Sequence, residues 1–368
     1  MNKFLQKIFP KRFGSYWKKI RNNPNFDDEI RFISDNFLNS ESYKYVSNMW
    51  HIINISHYKF LLDKGLEKYG SDIGKSYFTF TDYNEENIKN LLSNYNISKI
   101  KKNNCDFKIH NGFSLNQSIS YNYLCLLLYE NLKLNKYFKF LSYLKDKTYI
   151  GFDDPYIEID NINITTDKII SLFDFEKINK FKKLENNNKI LELGAGSGRL
   201  TECILSLKDN INYTVCDIPP SIYISYKRLK LAFPNKKISL LIDQNDNDKL
   251  NTEIKNNDIS FIFPHQLQKI NTNYYDLAIA VDCLHEMDKK TIKLYFSFIT
   301  HITNNFYFSI WSQTKNWHSG RLFKRTEKLI FENGDYPIPS LWKNVFKENM
   351  IFPSNQLGLG YITKKNIL

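Results

Sequence analysis

The most informative spacing in the chain is Lys189-Ile190-Leu191-Glu192-Leu193-Gly194-Ala195-Gly196-Ser197-Gly198-Arg199-Leu200, an apolar strand running straight into a glycine-rich turn and then a helix. A dinucleotide-binding turn reads G-x-G-x-x-G. Here the third glycine arrives one residue early, at Gly198, and Arg199 stands where that pattern needs glycine. A phosphate loop does not fit either: the Lys-Ser/Thr pair that grips phosphate is missing, and Glu192 would repel it. The ligand of this turn should therefore carry positive charge near Glu192. Gly194, Ala195, Gly196 and Gly198 let the backbone come close to it. The cationic amino group and sulfonium of S-adenosylmethionine meet both conditions, and the competing reading is an ordinary strand-to-helix turn that happens to hold three glycines.

Nineteen residues after Gly198 a second strand ends at Asp217, where a doubly wound fold needs an acidic side chain to accept hydrogen bonds from ribose hydroxyls. A lone Asp at a strand end is usually a helix cap, but its pairing with the upstream glycines makes Asp217, with Ile218, the expected ribose site. Pro219 or Pro220 then starts the next helix. The third strand runs into Pro264-His265-Gln266, so His265 or Gln266 is expected along an adenine ring, a polar turn being the alternative. The fourth delivers Asp282-Cys283-Leu284-His285-Glu286-Met287 to the carboxyl edge of the sheet, where open α/β folds bind ligands. A hydroxyl is a poor nucleophile, so a base must take its proton as the oxygen attacks a sulfonium methyl in line, and histidine titrates in the useful range. His285 is the first candidate base. Asp282, which also borders the cofactor, and Glu286 are expected to orient that imidazole, bind a neighbouring hydroxyl or act as base themselves. The opposing expectation is that His285 caps the following helix or packs beneath the cofactor.

With these residues in view, the chain resembles the class I S-adenosylmethionine-dependent methyltransferases, and more closely the sugar O-methyltransferase family of bacterial polysaccharide gene clusters. The similarity rests on Glu192 to Arg199, Cys216-Asp217-Ile218-Pro219-Pro220, Pro264-His265-Gln266-Leu267, Asp282 to Met287, and Asp335-Tyr336-Pro337-Ile338-Pro339 with Trp342. It covers most of Tyr149 to Lys364 and, more loosely, an N-terminal region with Trp50 and Gly74 to Phe78. The resemblance implies an α/β fold, a doubly wound, seven-stranded, Rossmann-like methyltransferase sheet with a mainly helical N-terminal cap over the acceptor. It implies methyl transfer from S-adenosylmethionine to a sugar hydroxyl in surface-glycan biosynthesis, and it does not carry over a base. A divalent metal is neither required nor excluded, and no metal ligands are assigned. Asp217-Ile218-Pro219-Pro220 is similar to the Asp-Pro-Pro-Tyr motif of nucleic-acid amino-methyltransferases, but it follows the second strand and not the fourth, so nucleic acid is not expected as a partner.

The elements that must position these residues follow from periodicity. Residues 1–148 read as mainly helical, with Val46, Trp50 and Ile53, then Tyr58, Leu61 and Leu62, at helical spacing. Residues 149–182 form a junction, with a strand pair over Ile157, Ile159, Ile162 and Ile164 and then a helix. From 183 to 368 short strands alternate with helices, the strands being Lys189 to Leu193, Tyr213 to Cys216, Ile259 to Phe263, Leu277 to Val281 and Phe306 to Ile310. Asp243 to Asp258 reads as a polar surface insertion, and Ile238 to Ile242 as a further possible strand.

A net charge of +12 favours anionic partners. Lys11, Arg12, Lys18, Lys19 and Arg21 among Phe13, Tyr16 and Trp17 suggest a weak membrane-surface patch or a solvated helix. Trp311, Trp317 and His318 among Lys315, Arg321, Lys324 and Arg325 suit stacking on a sugar ring that carries phosphate or carboxylate, so the expected acceptor is an anionic carbohydrate, nucleotide-linked, lipid-linked or polymeric. Cys105, Cys125, Cys203, Cys216 and Cys283 are odd in number, widely spaced and without a C-x-x-C pair, which argues against both a disulfide framework and a structural zinc site and fits a reducing cytoplasm, as does an N-terminus without an apolar signal core. The remaining alternatives are a methyltransferase acting on RNA, lipid or a small metabolite, and a non-catalytic cofactor- or glycan-binding partner protein. Oligomeric state is not legible.

Overall fold

The computed structural model describes residues 27–69, 105–106, 108–110, 113–134, 136–145, 155–315, 330–332, 336–353 and 356–363. The basic N-terminal patch, Gly74 to Phe78, Asp335, and Trp317, His318, Arg321, Lys324 and Arg325 lie outside these residues, so the expectations placed on them do too.

The chain enters through α1 (Asp28–Asn39). The Ile30 N–H donates to Asp27 Oδ1 at 2.9 Å, which caps the helix start, and Asp28 and Glu29 in the first turn suit its positive end. Ile30, Ile33 and Phe37 recur every three or four residues and form the buried face. A single 3-10 turn, Glu41–Tyr45, leads to α2 (Asn48–Lys64), capped by Ser47. Salt bridges join Asp27 and Glu29 to Lys227 and Lys230, but such surface pairs contribute only about 0–1 kcal/mol each. The stronger attachment is apolar: Phe37 meets Phe263 edge-on at 5.4 Å, both fully buried.

Strand β1 (Cys105–Asp106) is followed by α3 (Leu115–Leu134), α4 (Leu141–Lys145), β2 (Ile157–Ile159) and β3 (Ile162–Ile164). The strand pair expected at the junction is a hairpin whose two turn residues, Asp160 and Asn161, both have positive φ, as a tight two-residue turn requires. β1 pairs antiparallel with β2, so the junction shares a small sheet with the preceding region. After α5 (Thr166–Phe181) come β4 (Lys189–Leu193), α6 (Arg199–Leu207), β5 (Asn212–Cys216), α7 (Ser221–Ala232), β6 (Ile238–Leu240), α8 (Asn247–Asn256), β7 (Ile259–Ile262), β8 (Leu277–Val281), α9 (Lys289–Ile302) and β9 (Asn305–Trp311). β10 (Gln313–Lys315) pairs with β11 (Ile330–Glu332), and β12 (Trp342–Asn349) and β13 (Gln356–Thr363) complete the large sheet.

That sheet has the order β12-β13-β9-β8-β4-β5-β7-β6. β6 to β9 run parallel with β4 and β5, and β13 is antiparallel to both β9 and β12. Side chains alternate between two cores: Ile190, Val215 and Ile279 face α5, α6 and α7, while Leu191, Cys216 and Ala280 face α8 and α9. The sheet is covered on both sides, which is the doubly wound arrangement. Its strand count corrects the expected seven to eight, because β6 adds an edge strand beside β7. The polar stretch after it is no insertion. It forms α8, which crosses from β6 to β7, is capped by Asp246 and buries Leu250 and Ile254; its other residues are polar because they face water.

β4 leads outward through β5 on one side, while its other neighbour, β8, comes later in sequence and continues the opposite way. The carboxyl ends of β4, β5 and β8 therefore border a topological switch point, the place where such sheets leave a crevice.

Candidate active site

A cavity opens at this switch point. Its wall includes Glu192, Gly194, Ala195 and Gly196 after β4, Asp217 and Ile218 after β5, and Asp282, Cys283 and Glu286 after β8. The far side is closed by the N-terminal segment, through Tyr45, Val46, Ser47 and Trp50. The Ser47 hydroxyl donates to the Glu286 carbonyl at 3.3 Å, which holds that segment against the loop after β8.

The glycine turn is shaped by contact. Gly194, Gly196 and Gly198 all have positive φ. A Cβ on Gly194 would sit 2.7 Å from Cys283 Cβ, so the turn can lie against the β8 loop only without a side chain. The Cys283 thiol donates to the Leu193 carbonyl at 3.3 Å and fastens the two strand ends together. Gly198 does not reach the cavity; it caps α6, and a Cβ there would lie 3.1 Å from Ser225.

Glu192 is buried, and its Oε2 accepts from the Thr201 hydroxyl at 2.6 Å and the Tyr213 hydroxyl at 2.7 Å. Burial raises its pKa, and the two hydroxyls oppose that rise. Asp217 accepts the Gly196 N–H at 2.8 Å and the Ile218 N–H at 2.7 Å, so it also braces the turn. Burial pushes its pKa up to about 7 against those two bonds.

Asp282 is the strained member of the site, with φ at 58°, a conformation that non-glycine residues hold only when their surroundings enforce it. The Trp311 indole N–H donates to its Oδ1 at 3.1 Å, the Gln356 amide donates to the same oxygen at 2.6 Å, and His285 Nε2 lies 3.4 Å from it. All three partners fall on Oδ1, which leaves Oδ2 for a ligand in the cavity.

His285 is buried beside Asp282, which agrees with the expectation that it packs and not with that of a base facing the cavity. It sits on a 3-10 turn, Leu284–Glu286, that begins two residues past the strained Asp282 backbone. The ring is buried against Trp311 with centroids 5.7 Å apart, and it is absent from the cavity wall. Burial lowers its pKa, against the pull of Asp282, so the neutral form is favoured. His285 thus supports Asp282 from behind, and Trp311, expected to stack on a sugar ring, does the same.

His265 and Gln266 also lie outside the wall. The His265 N–H donates to the Ser42 hydroxyl at 2.9 Å and Nδ1 lies 2.8 Å from that oxygen, which ties the 3-10 turn before α2 to the loop after β7. Burial pushes its pKa down to about 4. The Gln266 amide donates to the Leu241 and Gln244 carbonyls and its oxygen accepts the Phe263 N–H, so its bonding capacity is used in joining β6 to β7. Residues given no site role by the sequence include Tyr45, Val46, Ser47, Tyr295 and Arg199 on the wall and Gln356 behind Asp282. Among these only Arg199, next to the glycine turn, lay in a recognisable motif. Among the described residues, no group of three or more His, Cys, Asp or Glu could hold a metal ion, and no helix is long and apolar enough to cross a membrane.

No family model and no curated protein matches the chain. Solved structures do. A methyltransferase using S-adenosylmethionine from Clostridium acetobutylicum ATCC 824 is similar at 12% identity, with 52% of this chain and 90% of that chain covered and a TM-score of 0.34. Magnesium protoporphyrin IX methyltransferase from Synechocystis PCC 6803, with bound SAH, is similar at 10% identity, with 67% and 100% covered and a TM-score of 0.37. A SAM-dependent methyltransferase from Aquifex aeolicus has 12% identity, 53% and 92% coverage and a TM-score of 0.32. At TM-scores this low the likenesses assign neither ligand nor substrate to this chain.

Proposed function

We propose that this chain is an S-adenosylmethionine-dependent O-methyltransferase that methylates a hydroxyl of a sugar in glycan biosynthesis. One observation carries the reading: a single cavity wall joins the glycine turn, Asp217 and Asp282, at the carboxyl ends of three adjacent parallel strands. Glu192, Asp217, Asp282 and Glu286 make that wall acidic, which suits a donor with a net positive charge. The bound donor supplies an electrophilic methyl on sulfur. Asp217 would accept from the donor's ribose hydroxyls, and the Gly194 to Gly196 backbone would hold its amino-acid end. Asp282 Oδ2 takes the acceptor's proton as the new O–C bond forms, while the electrons of the broken C–S bond stay on sulfur. Tyr45, Trp50 and Tyr295 give the wall aromatic surface beside the carboxylates, a combination that fits a neutral polyol ring. The phosphate or carboxylate of a nucleotide-linked, lipid-linked or polymeric acceptor would lie outside this acidic wall.

The test is transfer itself. The protein is incubated with isotopically methyl-labelled S-adenosylmethionine and a panel of nucleotide sugars, lipid-linked sugars and polymeric glycans, and the products are read by mass spectrometry. Label in an ether-linked methyl on a sugar is the expected result. No calorimetric binding of S-adenosylmethionine or S-adenosylhomocysteine by folded protein would end the proposal.

Asp217 adds a pH dependence. Its raised pKa means the carboxyl keeps its proton up to about pH 7, and a cationic donor with hydroxyls to share favours the ionised form. Affinity should rise with pH through 7, because only the ionised fraction is competent: between pH 6 and pH 8 that fraction grows about tenfold. Asp217→Asn removes this component. Titration calorimetry of both proteins at the two pH values should show the wild-type affinity gaining about tenfold relative to the variant, and parallel profiles would refute the assignment.

A further inference from the structure

Two of the three contacts on Asp282 Oδ1 come from one cross-strand pair. β9 runs parallel to β8, so its last residue, Trp311, stands at the carboxyl edge beside Asp282, and Gln356, the first residue of β13, is its antiparallel partner in register. Opposed residues of such a pair have Cβ atoms about 4.5–5.5 Å apart on one face of the sheet. Here both side chains end as N–H donors on a single oxygen, the indole at 3.1 Å and the amide at 2.6 Å. Gln356 is buried, and its backbone is fixed on both sides: its N–H donates to the Pro353 carbonyl at 3.2 Å, and its carbonyl accepts from the Met350 N–H at 2.9 Å. A buried amide is unfavourable unless it is hydrogen-bonded, and this one is committed to a carboxylate, the stronger kind of partner. The two strands thus grip a side chain whose own backbone is strained, with φ at 58°.

We propose that Gln356 is a positioning residue for methyl transfer: with Trp311 it clamps Asp282 through Oδ1, so that Oδ2 meets the acceptor hydroxyl, and the C-terminal hairpin of β12 and β13 thereby becomes part of the site. The inference rests on the reading of Asp282 as the base. The amide donates at every pH. The other groups around the clamp are Arg199 from α6, the one cation among the described wall residues, Asp174 from α5, Glu192 and Asp217 after β4 and β5, and Cys283, His285 and Glu286 in the loop after β8. None of them is altered by a change at Gln356, so a new pH response there reports the clamp.

Two variants of the whole chain test this. Gln356→Met keeps the length of the side chain and removes the donor, whereas Gln356→Glu supplies a carboxyl that can donate to Oδ1 only while it is protonated. Turnover is measured from pH 6 to pH 9 at saturating labelled S-adenosylmethionine, with the same panel of nucleotide sugars, lipid-linked sugars and polymeric glycans as acceptors, and donor affinity is measured by calorimetry. Gln356→Met should lower turnover about ten- to a hundredfold at every pH, the range for a hydrogen bond to a charged group, with donor affinity within about twofold of wild type. Gln356→Glu should keep most of its turnover at pH 6 and lose about tenfold or more relative to wild type by pH 9, because two carboxyls in contact share one proton and repel each other once it leaves. A merely structural role would give both variants the same loss at every pH. If Gln356→Met fails to fold, the pH profile of Gln356→Glu decides alone. Wild-type turnover in Gln356→Met, or a Gln356→Glu profile parallel to wild type, overturns the inference, and an Asp282→Asn protein that has lost transfer then leaves the base reading standing. An Asp282→Asn protein that keeps wild-type transfer overturns both.

Discussion

On the proposed function, Asp282→Asn should lower methyl transfer by about 10²–10⁴-fold, the usual range for loss of a positioned acid or base, while affinity for S-adenosylmethionine should fall far less. The carboxylate borders the cavity at the end of β8 and is held from behind by Trp311 and Gln356 on Oδ1. Asparagine keeps the size and much of the hydrogen bonding but cannot take a proton. His285→Ala removes the ring that lies 3.4 Å from Oδ1 and packs on Trp311, and should slow transfer by only about tenfold. Rates from the labelled-transfer assay and donor affinities from calorimetry separate the two. An inert His285→Ala protein beside a nearly wild-type Asp282→Asn protein would return the imidazole to the role of base.

Gly194→Ala should weaken donor binding by about thirtyfold. Two costs combine: about 1–2 kcal/mol for a non-glycine residue in the left-handed region, and about 1–3 kcal/mol for forcing a methyl into a packed contact 2.7 Å from Cys283. If about 2 kcal/mol of this is needed each time the turn closes on the donor, affinity falls about thirtyfold. Gly65→Ala is the control. Gly65 also has a positive φ, 75°, but a Cβ there meets nothing within 4 Å, so the variant loses about 1–3 kcal/mol of stability and keeps its donor affinity. Thermal unfolding and calorimetry on both proteins give the comparison, and equal donor binding by wild type and Gly194→Ala would show that the turn tolerates a side chain.

The two variants differ in how visible their residues were beforehand. Gly194 was legible because a strand, an acidic residue and three glycines at fixed spacing constrain a backbone locally. Asp282 was legible as a member of a cluster, but that it borders the cavity while His285 lies behind it was not. Which of two neighbouring polar side chains turns inward depends on the 3-10 turn at Leu284–Glu286 and on Trp311 and Gln356, which arrive from β9 and β13. The same holds for His265 and Gln266. Their positions beside the third parallel strand were readable, whereas Ser42 and the carbonyls of Leu241 and Gln244 that take up their bonds lie on other elements.

By itself, the sequence determined the strand-to-helix turn at Glu192 to Gly198, the acidic end of β5, the places of β4, β5, β7, β8 and β9, and the hairpin at 157–164, because each follows from periodicity or backbone freedom over a few residues. Only the tertiary structure decided that β6 joins the sheet as an eighth strand, that the polar stretch after it is a helix, that Tyr45 to Trp50 close the cavity, and that Arg199 is its one described cation. Those outcomes depend on contacts between residues far apart in the chain, and the number of possible partners for a buried carboxylate or an edge strand is settled only when the packing is complete.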